Sequence, residues 1–291
     1  MGPVGIQKIE KLAAGLYFVA TPIGTARDIT LRALDILASA DVLAAEDTRT
    51  LRRLMEIHGV AIGDRQLVAY HDHNGPQARP RLMNALAEGK SVAYASEAGT
   101  PLVADPGFQL SKDAISEGHP VHAAPGASAV LTALTIAGLP TDRFLFEGFL
   151  ANTKSQRKAA LIELGQIPAT LVFYESPKRI TAMISDAAEV LGEDREVAVC
   201  RELTKKFEEV IRGTLGEVRD ILASRQLKGE IVVLIGKQET ASVNQESIEE
   251  QLRDALSRMS VKDASDAIAR ANALPRRQVY QLALKIGKED A

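Results

Sequence analysis

The first half of the chain alternates between short apolar runs and segments with helical periodicity. Apolar runs of four or five residues predict strands that are buried on both faces of a sheet. Asp28 is the expected N-cap of the first helix, which carries Ile29, Leu34 and Leu37. The expected strands are Leu16–Ala20, Val42–Ala45, Gln66–Tyr70 and Ser91–Ala95, with helices at 79–87 and 108–116 and a closing PVHAAP segment. This alternation predicts an α/β domain with a mostly parallel sheet covered by helices.

The second half begins with an apolar helix and continues as another alternating set. The helix is expected at Val130–Ala137, after the segment PGASA. Only the short stretch around Val210–Arg212 separates the segment KKFE from the turn GTLG, which leaves no room for a full helix, so a mixed sheet with antiparallel pairs is expected here. The expected strands are 144–149, 170–174, 196–200, 209–212 and 231–235.

The last fifty residues have a different pattern. Residues 237–247 are polar and lack periodicity, which is typical of a linker. Three short helices are expected after it, at 248–259, 261–271 and 276–286, and such a set resembles a helix-turn-helix module. The predicted domains are therefore 16–125, 126–238 and 245–291.

Charge and composition restrict the function classes. The chain of 291 residues has 46% hydrophobic and 25% charged residues, which is ordinary for a globular protein. A net charge of −3 excludes a polyanion binder that works by bulk charge, so any nucleic-acid contact needs local basic patches. Residues 244–291 carry eight basic and eight acidic residues, which argues against a DNA reader and favours packing on the body or on a partner.

The same data predict a cytoplasmic protein with no membrane partner. The single cysteine, Cys200, lies in an apolar run and cannot form an internal disulfide, which fits a reducing compartment. No apolar stretch approaches the roughly 18 to 20 residues of a membrane span, and no signal-peptide pattern opens the chain.

Three loops combine proline with glycine where strands are expected to end: TPIG at 21–24, SEAGTP at 96–101 and APGASA at 124–129. Ligands of open α/β sheets bind at this edge, where glycine admits close approach and proline fixes the path. One such loop is explained by turn formation alone, but three together indicate a ligand site. The phosphate-binding motifs G-x-x-x-x-G-K-[ST] and G-x-G-x-x-G are absent, so the loops suit a ligand without polyphosphate. S-adenosylmethionine meets that description, although composition alone does not select it.

Six blocks of sequence occur in the order and at the spacing of a known family. They are LYFVATPIGTARDITLRALDILASADVLAAEDTR, SEAGTPLVADPG, PGASAVLTALTIAGLPTDRFLFEGFL, FYESPKRI, RELTKKFEE and GEIVVLI. Across about residues 16–236 the chain resembles the ribosomal RNA small subunit methyltransferase I group of the tetrapyrrole methylase superfamily, and the last helices resemble that group's small helical domain. The resemblance implies two α/β domains with the cofactor cleft between them, in a homodimer.

The resemblance also implies an activity and a cofactor site. The activity is transfer of a methyl group from S-adenosylmethionine to the ribose 2′-hydroxyl of a cytidine in the decoding region of 16S rRNA. Two positions depart from the family pattern, Glu97 in place of Asp and Thr25 in place of Asn. The residues assigned to the cofactor site are Pro22, Gly24, Gly99, Thr100, Pro101, Val103, Ser128, Ala129 and Leu150.

Methyl transfer from a sulfonium to a hydroxyl needs positioning of the two groups and a proton acceptor. The segment AEDTR places Glu46, Asp47 and Arg49 at the end of the second strand, and Glu175 ends another strand. These four residues are the catalytic candidates. For AEDTR the alternative is a helix N-cap followed by a surface salt bridge.

Basic residues near strand ends are candidates for holding RNA phosphates. Tyr174 is a candidate for stacking on a splayed base, or alternatively a core residue. The segment NTKSQRK at 152–158 is a candidate for a mobile basic lid over the RNA, and the alternative is a solvated helix start. The segment RELTKK at 201–206 is a candidate for contacting the substrate, and the alternative is a solvated charged turn. The substrate-binding candidates are Arg52, Lys154, Tyr174, Lys178, Arg179, Arg201 and Lys205.

Three other functions stay open from the sequence. One is a methyltransferase of the same superfamily acting on a tetrapyrrole or another small molecule, and another is a non-catalytic RNA-binding or ribosome-assembly protein. A DNA-binding regulator is disfavoured by the balanced charge of the tail. The pair His71 and His73 lacks a third ligand nearby, so no metal is expected.

Overall fold

The computed structural model describes residues 9–71, 74–104, 106–238, 245–272 and 274–289. The chain divides into two compact units, Met1–Lys237 and Gln238–Ala291. In its described residues, the larger unit contains two five-stranded sheets and the smaller unit contains three helices.

The first sheet is parallel throughout and has the order β3-β2-β4-β1-β5. Its strands are β1 (Gly15–Val19), β2 (Val42–Ala45), β3 (Gln66–Ala69), β4 (Ser91–Ala95) and β5 (Val121–Ala124). The helices that connect them are α1 (Leu31–Ser39), α2 (Thr48–Ile57), α3 (Gly75–Ala87) and α4 (Phe108–Ser116). The parallel sheet predicted from the apolar runs is confirmed.

Both faces of this sheet are covered by apolar side chains. Tyr17 and Val19 of β1 lie in one buried cluster with residues of α1 and α2, whereas Leu16 and Phe18 lie in another with residues of α3 and α4. Successive side chains of a strand point to opposite faces, so every side chain of a strand that is covered on both faces is buried and is usually apolar. This explains the continuous apolar run of β1.

The second sheet is mixed and has the order β6-β7-β10-β8-β9. Only the β6–β7 pair is parallel among its four strand pairs, which confirms the expected antiparallel pairing. Its strands are β6 (Phe144–Phe149), β7 (Thr170–Glu175), β8 (Glu196–Arg201), β9 (Glu209–Thr214) and β10 (Ile231–Ile235). Its helices are α5 (Ala129–Ala137), α6 (Lys154–Gly165), α7 (Ile180–Leu191) and α8 (Leu215–Ala223).

Two local predictions are wrong. The N-cap of α1 is Thr30, whose Oγ1 accepts a hydrogen bond from the Ala33 amide at 3.1 Å, whereas the Asp28 amide donates to the Thr25 carbonyl in a turn before the helix. The segment GTLG is a strand end followed by α8, because Thr214 and Glu217 form a capping box. The spacing T-x-x-E already carried that signal.

The smaller unit consists of α9 (Gln245–Leu256), α10 (Val261–Ala271) and α11 (Arg276–Glu289), close to the expected helices. It has a hydrophobic core of its own, formed by Ile248, Leu252, Ala269, Val279, Ala283 and Ile286. In the part of the chain that the structure describes, no helix has the length and apolar character needed to cross a membrane.

Candidate active site

The three proline- and glycine-containing loops meet at one edge of the first sheet. Thr21 and Gly99 exchange backbone hydrogen bonds of 2.9 and 3.0 Å, which join the loop after β1 to the loop after β4. Thr100 Oγ1 donates to the Ala127 carbonyl at 3.0 Å and so connects the loop after β5. The convergence expected from their positions after parallel strands is therefore present.

Buried hydroxyl groups hold these loops in place. Thr21 Oγ1 donates to the Ser96 carbonyl at 3.2 Å, and Ser96 Oγ donates to the Gly99 carbonyl at 2.5 Å. Both hydroxyl side chains are almost fully buried. Because buried polar groups are costly unless they are hydrogen-bonded, these bonds give the loops one defined arrangement.

The loop after β8 in the second sheet packs against the TPIG loop. Thr25 donates its amide hydrogen to Thr204 Oγ1 at 3.2 Å, and Ile23 shares an apolar cluster with Leu203. A Cβ at Gly24 would lie 2.5 Å from Thr204 Oγ1 and 2.9 Å from the Leu203 carbonyl oxygen. Only glycine fits there, so one function of this glycine is close packing between loops.

Backbone strain is concentrated in two of these loops. Among the described residues, four that are not glycine have a positive φ: Leu102 at 70°, Ala104 at 55°, Glu202 at 50° and Thr204 at 61°. Two follow β4 and two follow β8. Left-handed conformations of such residues cost about 1–3 kcal/mol each and cluster at functional sites. The strain thus marks the same region as the glycine and proline pattern.

A cleft of about 550 Å³ opens beside the TPIG loop. It is bounded by this loop, by α2 along its length and by the start of the loop after β4. Charged side chains of both signs line it together with glycine and apolar groups. Its lining includes Pro22, Gly24, Asp47, Arg49, Arg53 and Glu97.

Asp47 caps α2 and is paired with Arg49. Its Oδ1 accepts the Arg49 amide hydrogen at 2.7 Å, and its Oδ2 lies 2.7 Å from Arg49 Nη2. These bonds lower the pKa of Asp47 to about 2. The N-cap and salt bridge considered for AEDTR are therefore present, and both side chains also line the cleft. Glu46 precedes them and is half-buried.

Glu97 is the cleft residue that the sequence did not place among the catalytic candidates. Within the described part of the chain, its carboxylate has neither a hydrogen-bonded partner nor an ion pair. The side chain is solvent-exposed; partial desolvation contributes most to its raised pKa, the carboxylates of Glu46, Asp47 and Glu230 raise the pKa further, and Arg49 lowers it. Its position directly after an apolar strand, in a loop with glycine and proline, was the available signal.

Glu175 lies fully buried at the end of β7, and burial raises the pKa of its carboxyl group. Its Oε1 accepts the Ser176 amide hydrogen at 2.7 Å, and Oε2 lies 3.3 Å from Arg179 Nη2. The same Nη2 donates to the Leu150 carbonyl at 2.6 Å. Glu175, Arg179 and Leu150 thus tie the ends of β6 and β7 together, and none of them lines the cleft.

The remaining cofactor candidates lie in the converging loops. Gly99 and Pro101 are buried, Thr100 is half-buried, and Val103 is partly exposed. Ser128 and Ala129 are half-buried at the start of α5, where Ser128 Oγ accepts the Leu131 amide hydrogen at 3.4 Å.

The remaining substrate candidates are spread over several elements, and four of them have intramolecular partners. Lys154 Nζ lies 3.8 Å from Asp186, Arg201 lies 3.0 Å from Glu209, and Lys205 Nζ lies 2.8 Å from Glu230. The Tyr174 ring packs edge-on against the rings of Phe146 and Phe149. Arg52 and Lys178 are exposed.

The histidine pair falls partly outside the described residues. His71 is described and half-buried, whereas His73 is not described. Over the described ranges, no group of three or more His, Cys, Asp or Glu side chains is arranged to hold a metal ion.

Comparison with known proteins places this geometry in a family. A profile of the tetrapyrrole (corrin/porphyrin) methylases matches residues 15–219, and a profile of the RsmI C-terminal HTH domain matches residues 242–287. The ribosomal RNA small subunit methyltransferase I of Mesorhizobium japonicum is 44% identical over 94% of this chain and 93% of its own length. The chain belongs to the ribosomal RNA small subunit methyltransferase I family.

A second relative supports this assignment, and a solved structure shares the fold. The ribosomal RNA small subunit methyltransferase I of Halalkalibacterium halodurans is 46% identical over 76% of this chain and 75% of its own. Uroporphyrin-III C-methyl transferase from Thermus thermophilus, solved in complex with S-adenyl homocysteine, has a TM-score of 0.53 at 19% identity and covers 76% of this chain and 97% of its own. The fold predicted for this family, with two α/β sheets and a small helical domain, is confirmed.

Proposed function

We propose that this member of the ribosomal RNA small subunit methyltransferase I family transfers a methyl group from S-adenosylmethionine to the ribose 2′-hydroxyl of a cytidine in 16S rRNA. The supporting observation is the 44% identity to a relative of that name over 94% of the chain. The match of residues 242–287 to the RsmI C-terminal domain favours this function over tetrapyrrole methylation, because the small helical unit is matched as well as the methylase fold.

The converging loops suit S-adenosylmethionine as the cofactor. The cofactor supplies an electrophilic methyl group on a positively charged sulfonium, and the carboxylates of the cleft favour a cation. Leu102 and Val103 provide partly exposed apolar surface beside the loops. At Gly99, where φ is 86°, a Cβ would lie 3.2 Å from Ile23 Cγ2, so glycine keeps this approach open. We assign cofactor binding to Pro22, Gly24, Gly99, Thr100, Pro101, Val103, Ser128, Ala129 and Leu150.

The carboxylates of the cleft differ in what they offer to a hydroxyl nucleophile. Asp47, with its pKa lowered to about 2 and its oxygens held by Arg49, is a weak base. We therefore assign proton removal to Glu97, whose pKa is raised and whose oxygens are unpaired in the described structure. Asp47 and Arg49 then orient the substrate, with Glu46 adding negative charge beside them.

Binding of rRNA needs cations that can leave their intramolecular partners. Arg52 and Lys178 are exposed and serve as direct phosphate contacts in this proposal. Lys154, whose side chain is 67% exposed, exchanges a carboxylate for a phosphate at little cost, because exposed ion pairs contribute only about 0–1 kcal/mol. Arg201 and Lys205, whose side chains are 16% and 29% exposed, leave less exposed ion pairs when they contact a phosphate. Arg179 and Tyr174 shape the adjoining strand ends.

The exposed apolar side chains of Phe108 and Ile115 on α4 support a homodimer.

A methylation assay tests this function. Small ribosomal subunits from a strain without the endogenous enzyme are incubated with the protein and S-adenosylmethionine labelled in its methyl group. Mass spectrometry of the rRNA should place the label on one cytidine ribose. A label on a base, or on a tetrapyrrole offered in parallel, contradicts the proposal. Binding of the rRNA without any calorimetric uptake of S-adenosylmethionine favours the RNA-binding alternative.

A further inference from the structure

One face of α11 is exposed and carries a distinctive set of side chains. Its members recur at the i, i+3, i+4, i+7 and i+8 positions of the helix, and all are solvent-exposed. The opposite face is buried in the core of the helical unit. The exposed set, called the α11 face below, consists of Arg277, Tyr280, Gln281, Leu284 and Lys285.

Acidic and basic residues are equal in number over residues 244–291, but they are distributed unevenly between α9 and α11. Residues 248–256 of α9 contain three acidic residues and one basic residue. Residues 276–287 of α11 contain three basic residues and no acidic residue. Arg276 is paired with Asp266, whereas Arg277 has no ion-pair partner within the described part of the chain. A count over the whole tail therefore understates the positive potential of the α11 face.

The chemistry of this face fits RNA. Arginine and lysine bind phosphate, and a helix rise of 1.5 Å per residue separates Arg277 from Lys285 by about 12 Å along the axis. Tyr280 is 40% exposed between them, and an exposed tyrosine can stack on an unpaired base. Gln281 adds hydrogen-bonding capacity. Residues 276–287 contain no acidic residue, which would repel phosphate; the one acidic residue of the helix, Glu289, is at its last position.

We propose that the α11 face docks on the rRNA substrate, as a binding surface additional to the catalytic cleft. This inference rests on the proposed function, which supplies rRNA as the polyanion. The charge of the face favours RNA over a protein partner.

The test uses the full chain and measures binding of a 16S rRNA transcript by fluorescence anisotropy between 50 and 300 mM KCl. The double variant R277E/K285E should bind at least about tenfold more weakly, with a salt slope reduced by about one for each lost phosphate contact. The variant Y280A should bind more weakly with an unchanged slope. Arg258, 70% exposed just after α9 and paired with Asp254, is the control on another surface of the helical unit, and R258E should change affinity less.

Controls separate this inference from the proposed function and from misfolding. Affinity for S-adenosylmethionine should equal that of the unaltered protein in every variant, and the neutral variant R277Q/K285Q should give an intermediate loss of RNA affinity. If R277E/K285E binds rRNA no worse than R258E while methylation persists, the α11 face is not an RNA surface and the proposed function stands. An unaltered protein that neither binds nor methylates rRNA overturns the proposed function itself. A change in oligomeric state without a change in RNA affinity identifies a protein contact and overturns the inference.

Discussion

Asp47 and Glu97 are carboxylates of the same cleft with opposite electrostatic surroundings. Asp47 accepts hydrogen bonds from the amide and guanidinium of Arg49, which favour its charged form. Glu97 is solvent-exposed in the cleft, but partial desolvation and the neighbouring carboxylates favour its neutral form. Surroundings that separate the pKa values of two carboxylates assign them different tasks. At this scale the structure favours Glu97 as the proton acceptor.

Replacing Glu97 with glutamine should lower kcat by about 10²- to 10⁴-fold, the usual contribution of a general base. The unaltered enzyme should gain activity as pH rises through the pKa of Glu97, because only the deprotonated carboxylate accepts a proton. That acidic limb should lie above the ordinary range of glutamate and should disappear in E97Q.

Single-turnover kinetics across pH 4–9 measure both effects. Glu97→Asp is the control, since it keeps the carboxylate and should retain part of the rate. Cofactor affinity should stay within a few-fold in both variants. A pH profile for E97Q that matches the unaltered enzyme assigns proton removal to another group.

The elements that form the site come from both sheets. The loops after β1, β4 and β5 meet through hydrogen bonds, and the loop after β8 packs on the first of them at Gly24. Each contact joins segments far apart in the chain; Thr25 and Thr204, for example, are 179 residues apart. The site therefore depends on close packing between loops as well as on its charged side chains.

Gly24→Ala should destabilise the larger unit by about 1–3 kcal/mol, the usual cost of overpacking. The added methyl would overlap Thr204 Oγ1 and the Leu203 carbonyl, and the backbone atom cannot rotate away. Gly75→Ala is the matched control, because its methyl would meet only Tyr70 atoms at 3.6 and 3.7 Å. Urea unfolding midpoints compare the two. Equal stability of both variants would show that the two loops do not pack closely in solution.

The molecule as a whole consists of two units with separate cores. The core of the helical unit contains only residues from α9, α10 and α11, and the other clusters contain only residues of the larger unit. The assigned cofactor residues all belong to the larger unit. Stability of the helical unit should therefore be separable from cofactor binding.

Leu252→Ala should destabilise the helical unit by about 2–5 kcal/mol, because Leu252 is fully buried in its core. Calorimetry should show a lower unfolding temperature for that unit, with S-adenosylmethionine affinity unchanged. Leu284→Ala, at a leucine that is 43% exposed, is the control for stability and should have little effect. A parallel loss of cofactor affinity in L252A would contradict the independence of the two units.

Local patterns in the chain were sufficient to predict most elements. Strands buried on both faces, such as β1 and β4, have short continuous apolar runs bounded by turn residues, which is typical of strands of this length. Short spacing around 209–212 was sufficient to predict antiparallel pairing. The errors were at helix starts, where Thr30 and the Thr214–Glu217 capping box compete with nearby residues of similar type.

The sequence by itself determined that glycine and proline loops follow apolar strands, because the apolar run of a strand and the composition of the loop after it are both local properties. The tertiary structure alone decided which carboxylate of the cleft is paired and which is unpaired. Asp47 and Glu97 are fifty residues apart, and their pKa values depend on burial and on neighbours brought in by the fold. In the same way, only the folded helical unit separates the exposed basic face of α11 from its buried side.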